Sequence, residues 1–347
     1  MDKKKLFTLA VCFLVSQINL FAQDLSLLPG FQKSPYFNEQ VLSFSYWPEV
    51  KVQINAPSDL NFVPNKKVYL ILYALPNGNT TDWTIGRKLN SGDDWHYDIQ
   101  HIGAQTRFLR EHMQGVNIVT AYLETDMKSW PSWRRKYPDN AALIRNLVDS
   151  LRNLFNKFDT RVILNGHSGG GSFIFGFLNS VRRIPDYVDR IGFLDSDYAY
   201  DDSLGHGDKI ASWLKESSKN CLCVIAYNDS IALYNGSPVV SPTGGTWYRS
   251  KMMKNNLEKS FLFTDESTPD FLHYRALSGR VNFILKENPT RAILHTTQVE
   301  LNGFIQSIVS GTSYEAVDYV YYGQRAYTKW IQEAPVSFPK SHEEKKE

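Results

Sequence analysis

Gly166, His167, Ser168, Gly169 and Gly170 form a G-x-S-x-G pattern that follows the apolar residues Val162, Ile163 and Leu164 and precedes a second apolar run at 173–178. A strand that turns at once into a helix forces the corner residue into a strained backbone conformation and lifts its side chain clear of the sheet. Glycines two positions either side leave room for so tight a turn. Ser168 is therefore the candidate nucleophile, and acyl transfer is the chemistry it would perform. The pattern lacks the Gly-Lys-Ser/Thr ending of a phosphate loop. A glycine-rich helix entry that only caps the helix or holds an anion is the plainer alternative.

The surrounding pattern supplies a frame for such a turn. Residues 67–75, 116–123, 190–194 and 221–227 read as apolar strands, and 99–113, 141–158 and 209–215 as helices. Continuously apolar strands that alternate with helices indicate a mostly parallel sheet covered on both faces, with chemistry at the carboxyl ends of its strands. Residues 41–57 alternate as an antiparallel lead-in should. The G-H-S-G-G segment in this order of elements resembles the nucleophile elbow of the α/β-hydrolase superfamily. That resemblance implies a single α/β-hydrolase domain over 24–340, with loop insertions near 125–140 and 230–290.

A serine hydroxyl is too weakly acidic to attack unaided, so it needs a base, and the base needs an orienting acid. The superfamily supplies them in the order serine, acid, histidine. Asp229 ends the run Val224-Ile225-Ala226-Tyr227-Asn228 and is the first candidate acid; Asp195 and Asp197, after the preceding strand, are its rivals. His295, at the end of a short apolar segment at 291–295 read as the last strand, is the candidate base, with His273 as the alternative. His167 faces sideways from the turn and is assigned a structural or substrate-contact role.

An oxyanion must meet two N–H donors. Gly169 supplies one, and the resemblance places the other in the loop after strand 67–75, at Asn77, Gly78 or Asn79, where relatives carry a His-Gly loop and this chain has Pro-Asn-Gly. For substrate contacts the sequence offers Trp130, Trp133 and Arg134 in the first insertion and Trp247 in the second. The stretch at 93–101 is rich in Asp and His and that at 195–202 in Asp alone, but neither has the ligand spacing of a metal loop. Neither a metal nor a cofactor is expected.

With 347 residues, 42% hydrophobic and 21% charged, the chain has the composition of a globular domain. A net charge of +2 without a basic cluster beyond the termini argues against nucleic acid as a partner. Lys3-Lys4-Lys5 followed by a short apolar run reads as a signal peptide over 1–23, too short to span a bilayer, which implies a secreted or periplasmic protein. Cys12 lies inside that run. Cys221 and Cys223, two apart on one strand, read as buried thiols rather than a disulfide. The charged tail 341–347 reads as disordered.

The function expected is thus a secreted serine hydrolase that cleaves a carboxylic ester, with an acylated carbohydrate or a plant-derived ester as substrate. A peptidase or amidase using the same residues, and a non-catalytic binding protein on the same fold, are the alternatives.

Overall fold

The computed structural model describes residues 28–335; the segments read as signal peptide and charged tail lie outside them. Strands β1 (Gln32–Lys33), β2 (Glu39–Tyr46), β3 (Val50–Pro57), β4 (Lys67–Ala74), β5 (Val116–Thr125), β6 (Thr160–His167), β7 (Val188–Leu194) and β8 (Cys221–Tyr227) come first. A small separate hairpin, β9 (Leu233–Tyr234) and β10 (Ser237–Pro238), is followed by β11 (Thr264–Asp265), β12 (Phe271–Ala276) and β13 (Val281–Lys286). The main sheet has the order β1-β2-β3-β5-β4-β6-β7-β8-β13-β12-β11. Its centre, from β5 to β13, is parallel, and antiparallel strands flank it at both edges.

Period-two alternation sorts the side chains of β4 between two layers. Val68, Leu70, Leu72 and Ala74 join a core with the helices Asn140–Asn153, Gly171–Ser180, His206–Glu216 and Thr246–Leu257. Ile71 and Tyr73 join a second core with the helices Ile102–His112 and Gly303–Val309. Burial on both faces is why these strands are apolar throughout. Cys221 and Cys223 are buried free thiols.

Chain order reverses at β4. The chain leaves β4 for β5 on one side and then takes up β6 on the other. Loops after β4 and β6 therefore diverge and open a crevice at the carboxyl edge, where ligands of open α/β sheets bind.

Two elements differ from the sequence reading. Segment 291–295 is not a strand; the last parallel strand is β13, paired with β8 from Val281↔Leu222 to Lys286↔Tyr227. Arg291 takes a left-handed φ of 57°. The Asn288 side chain also accepts from Ala292 N at 3.1 Å and donates to Ala292 O at 2.8 Å. Those bonds occupy backbone groups that a ladder would need. The insertion near 125–140 holds a helix, Trp130–Lys136, with Ser129 accepting from Ser132 N and Pro131 in the first turn. Both are helix-start signals in the sequence.

Candidate active site

Ser168 follows β6 directly and has φ 53°, the strained geometry expected of the corner. The turn is crowded: a Cβ on Gly170 would overlap the carbonyl oxygen of Ala74, and one on Gly171 that of Ser196. Only glycine lets the helix start lie so close to the ends of β4 and β7. Asp195, just past β7, is left-handed too, with φ 46°. Strain on the order of 1–3 kcal/mol per residue persists only where the surroundings impose it, and functional sites are where it collects.

His295 arrives on the irregular segment after β13. Its Nδ1 is hydrogen-bonded to Asp195 Oδ2. The structure thereby corrects the candidate acid: the carboxylate that meets His295 is Asp195 and not Asp229. Asp229 faces the other way, toward the start of the helix Thr246–Leu257, accepting from Thr246 N at 2.8 Å and Trp247 N at 3.3 Å. Burial, and then the charge of Asp195, push its carboxyl up to about 6. Asp197 is buried as well, accepts from Ser250 Oγ at 2.8 Å, and is held well above the usual carboxylate range by burial. Thr246 joins the set, since its hydroxyl bonds to Asp195 Oδ1.

His167 places His295 against the elbow. The two rings lie 4.5 Å apart, and His167 Nε2 donates to the His295 carbonyl at 3.2 Å. Burial, and then the neighbouring His295, hold His167 far below the usual imidazole range. A neutral ring that donates from Nε2 is a strut for the segment carrying His295. The rival base, His273, bonds to Asn282 Oδ1 at 2.7 Å on β12, within the antiparallel flank of the sheet.

Gly169 stands in the first turn after β6, where an N–H has no intrahelical acceptor. The Asn77 side chain lies against it, in the space that a Cβ on Gly169 would take. Gly78 is corrected as a donor because its N–H is already given to Lys128 O at 2.8 Å. The Asn79 N–H goes to Pro76 O at 3.3 Å. Of the three candidates for the second donor, Asn77 is thus the one whose side chain reaches Gly169 and whose N–H is not given to a backbone carbonyl in this loop.

None of the tryptophans chosen from the sequence as substrate contacts lines the crevice. Trp130 is 1% exposed and Trp133 2%. Their indole N–H groups donate to Leu123 O at 3.1 Å and Pro48 O at 2.9 Å, so both are core residues with satisfied polar atoms. Arg134 is spent on Asn140 Oδ1, Ser172 O and Ser172 Oγ, bracing the helix behind Ser168. Trp247 is buried, and its backbone serves Asp229. Among the described residues, no group of three or more His, Cys, Asp or Glu is arranged to hold a metal ion, and no helix is long and apolar enough to cross a membrane.

Comparison of the sequence with family models and with curated proteins finds no match. Solved structures of similar shape include a thermostable esterase, with 13% identity over 82% of this chain and a TM-score of 0.47; this chain spans 64% of it. A mutant of the feruloyl esterase module from Clostridium thermocellum in complex with sinapinate has 14% identity over 76% of this chain and 88% of its own, with a TM-score of 0.43. The siderophore hydrolase EstB from Aspergillus nidulans has 14% identity over 80% of this chain and 96% of its own, with a TM-score of 0.42. The strand order, the reversal at β4 and the turn after β6 give this chain the α/β-hydrolase fold.

Proposed function

We propose that this protein is an exported serine hydrolase that cleaves carboxylic esters through an acyl-enzyme on Ser168. One observation carries the reading: a strained serine at the end of β6 whose chain neighbour His167 packs 4.5 Å from the ring of His295, a histidine whose Nδ1 is engaged by a buried aspartate. With Nδ1–H given to Asp195, the proton-free nitrogen of a neutral His295 is Nε2, the atom that must accept a proton from Ser168 Oγ.

The steps follow from those roles. Ser168 Oγ attacks the ester carbonyl as His295 Nε2 takes its proton. The tetrahedral oxyanion is met by the N–H groups of Gly169 and Asn77. Each such donor is worth roughly 10²–10³ in rate. His295 returns the proton to the departing alkoxide, leaving the acyl-enzyme and free alcohol. Water then repeats the attack with His295 again as base, releasing the acid and restoring Ser168. Asp195 holds the tautomer and faces the imidazolium while it exists.

Labelling of the purified protein with a fluorophosphonate tests the assignment. Wild type and His273→Ala should label, while Ser168→Ala and His295→Ala should not. A folded wild type that fails to label would sink the triad and leave a binding protein on a hydrolase fold. Export is tested by N-terminal sequencing of protein recovered outside the cytoplasm, which should start near residue 24.

A further inference from the structure

Three rings outside the catalytic centre form a continuous stack. Trp83 and His96 are parallel at 4.3 Å and 12°, and Trp95 and His96 at 3.9 Å and 26°. An imidazole face holds one parallel indole, so His96 is sandwiched between the two tryptophans. One face of Trp95 is thereby covered, yet the residue is 64% exposed. Leaving apolar surface in water forgoes about 25 cal/mol per Å².

The loop that holds Trp95 out is braced. Asp94 accepts from His96 N at 2.9 Å and pairs with the His96 ring. Asp93 is bonded to Arg87 and to Asn90 N, and the Arg87 guanidinium lies 3.9 Å from the Tyr97 ring. Asp98 is tied to Arg325 at 2.7 Å. An exposed aromatic on a pre-organised loop has little freedom left to lose on binding.

The stack is joined to the loop after β4. Trp83 lies on the helix Thr81–Ile85, directly after the loop that carries Asn77. Thr81 is anchored on Glu124 at the end of β5, and Lys128, whose carbonyl holds Gly78 N, has its ammonium 5.6 Å from the Trp83 ring. The stack is thereby tied to the ends of β4 and β5, on the opposite side of β6 from β7, the strand that leads to Asp195. Two strand spacings separate β5 from β6, about 10 Å. A chain of linked rings spans that distance, whereas a small acyl group on Ser168 does not.

We propose that Trp95, backed by His96 and Trp83, is a platform for a pyranose ring of a glycan-linked ester; this rests on the ester-hydrolase reading above. A pyranose presents an apolar C–H face to an indole and hydroxyls at its edge, where the neighbouring Asp94 carboxylate can accept from them. It keeps its other face in water at little cost. A flat aromatic acid gains most when both faces are covered, and this platform offers one.

The experiment uses the full chain and two readouts. Binding of cellohexaose, xylohexaose and mannohexaose is followed by calorimetry in wild type, Trp95→Ala and Trp95→Phe, and p-nitrophenyl acetate hydrolysis is followed in the same proteins. At least one oligosaccharide should bind wild type, about tenfold more weakly in Trp95→Ala, with most of the affinity restored in Trp95→Phe. Acetate ester turnover should be equal in all three, because Trp95 is exposed and outside the triad. Equal affinity in wild type and Trp95→Ala, or no binding of any of the three, overturns the platform. Trp95-dependent binding without ester turnover in wild type upholds the platform and counts against the hydrolase reading instead.

Discussion

Asp195 and Asp229 occupy equivalent places, each just past the carboxyl end of a strand, on neighbours β7 and β8. They nonetheless face different partners. Asp195 leaves its strand through a left-handed turn, φ 46°, and meets His295. Asp229 starts a short 3-10 turn and is taken by the N–H groups of Thr246 and Trp247. Two neighbouring strand ends thus each present a carboxylate, and the arriving loops decide what each one meets. Asp229 instead anchors the helix N-terminus, an interaction favourable in both hydrogen bonding and dipole.

Replacing one and then the other is the sharpest way to break the comparison. Asp195→Asn should lower kcat about 10³–10⁴-fold on an activated ester, because an amide no longer holds the His295 tautomer. Asp229→Asn should lower it less than about tenfold while costing about 1–2 kcal/mol in urea unfolding through the weakened helix anchor. Steady-state kinetics on both variants decides. If Asp229→Asn is the crippled one, Asp229 is the acid and the pairing of His295 with Asp195 is not the working one.

The second difference is read by pH. Folding raises the Asp229 carboxyl from its ordinary 3.8 to about 6, through burial first and the charge of Asp195 second. Below about pH 4 both folded and unfolded chains hold the proton; between about 4 and 6 mainly the folded one does; above that neither does. Its contribution to stability is therefore largest in acid and is lost as pH rises through the folded value, by an amount on the order of 3 kcal/mol. The amide that replaces the carboxyl in the Asp229→Asn variant cannot titrate. The stability of wild type minus that of the variant should thus fall between about pH 4 and pH 7.5 in urea melts, and a difference that stays flat or rises would contradict a buried, ionisable Asp229.

Much of this arrangement is legible in the chain, and the misses share a cause. The elbow is local, since strand, serine, glycines and helix lie within about twenty residues, and its position follows from their pattern alone. His295 is legible from its place after the last strands, although 291–295 is irregular: Asn288 folds that loop back on itself, and apolar content does not register such side-chain bonds. The choice between Asp195 and Asp229 is not local. It depends on a helix that begins at Thr246 and on a loop that crosses from β13, neither of which a strand-end carboxylate reveals. The tryptophans fail similarly. Trp130 and Trp133 sit among the charged residues of an insertion yet fill the core, while Trp95, in a stretch rich in Asp and His, is the exposed one. Backbone acceptors at Leu123 and Pro48, far from the tryptophans in the case of Pro48, decide their burial.

Thr246 is where the two acids meet, and it gives the finest test of how separate they are. Its backbone N–H serves Asp229, while its hydroxyl bonds to Asp195 Oδ1, the oxygen turned away from His295, and also lies 3.3 Å from Asp229 Oδ2. Valine keeps the shape and the backbone bond but removes that hydroxyl, so one oxygen of Asp195 loses a donor and the carboxylate is freer to rotate. Thr246→Val should lower kcat about tenfold, equivalent to roughly 1.4 kcal/mol, with KM little changed, and Thr246→Ser should recover most of it. The loss should be far smaller in an Asp195→Asn background, because of the two carboxylates that the hydroxyl meets only Asp195 is bonded to His295. Equal losses in both backgrounds would mean that Thr246 supports the helix and its hold on Asp229, and that the two acids form one structural unit rather than a working pair and an anchor.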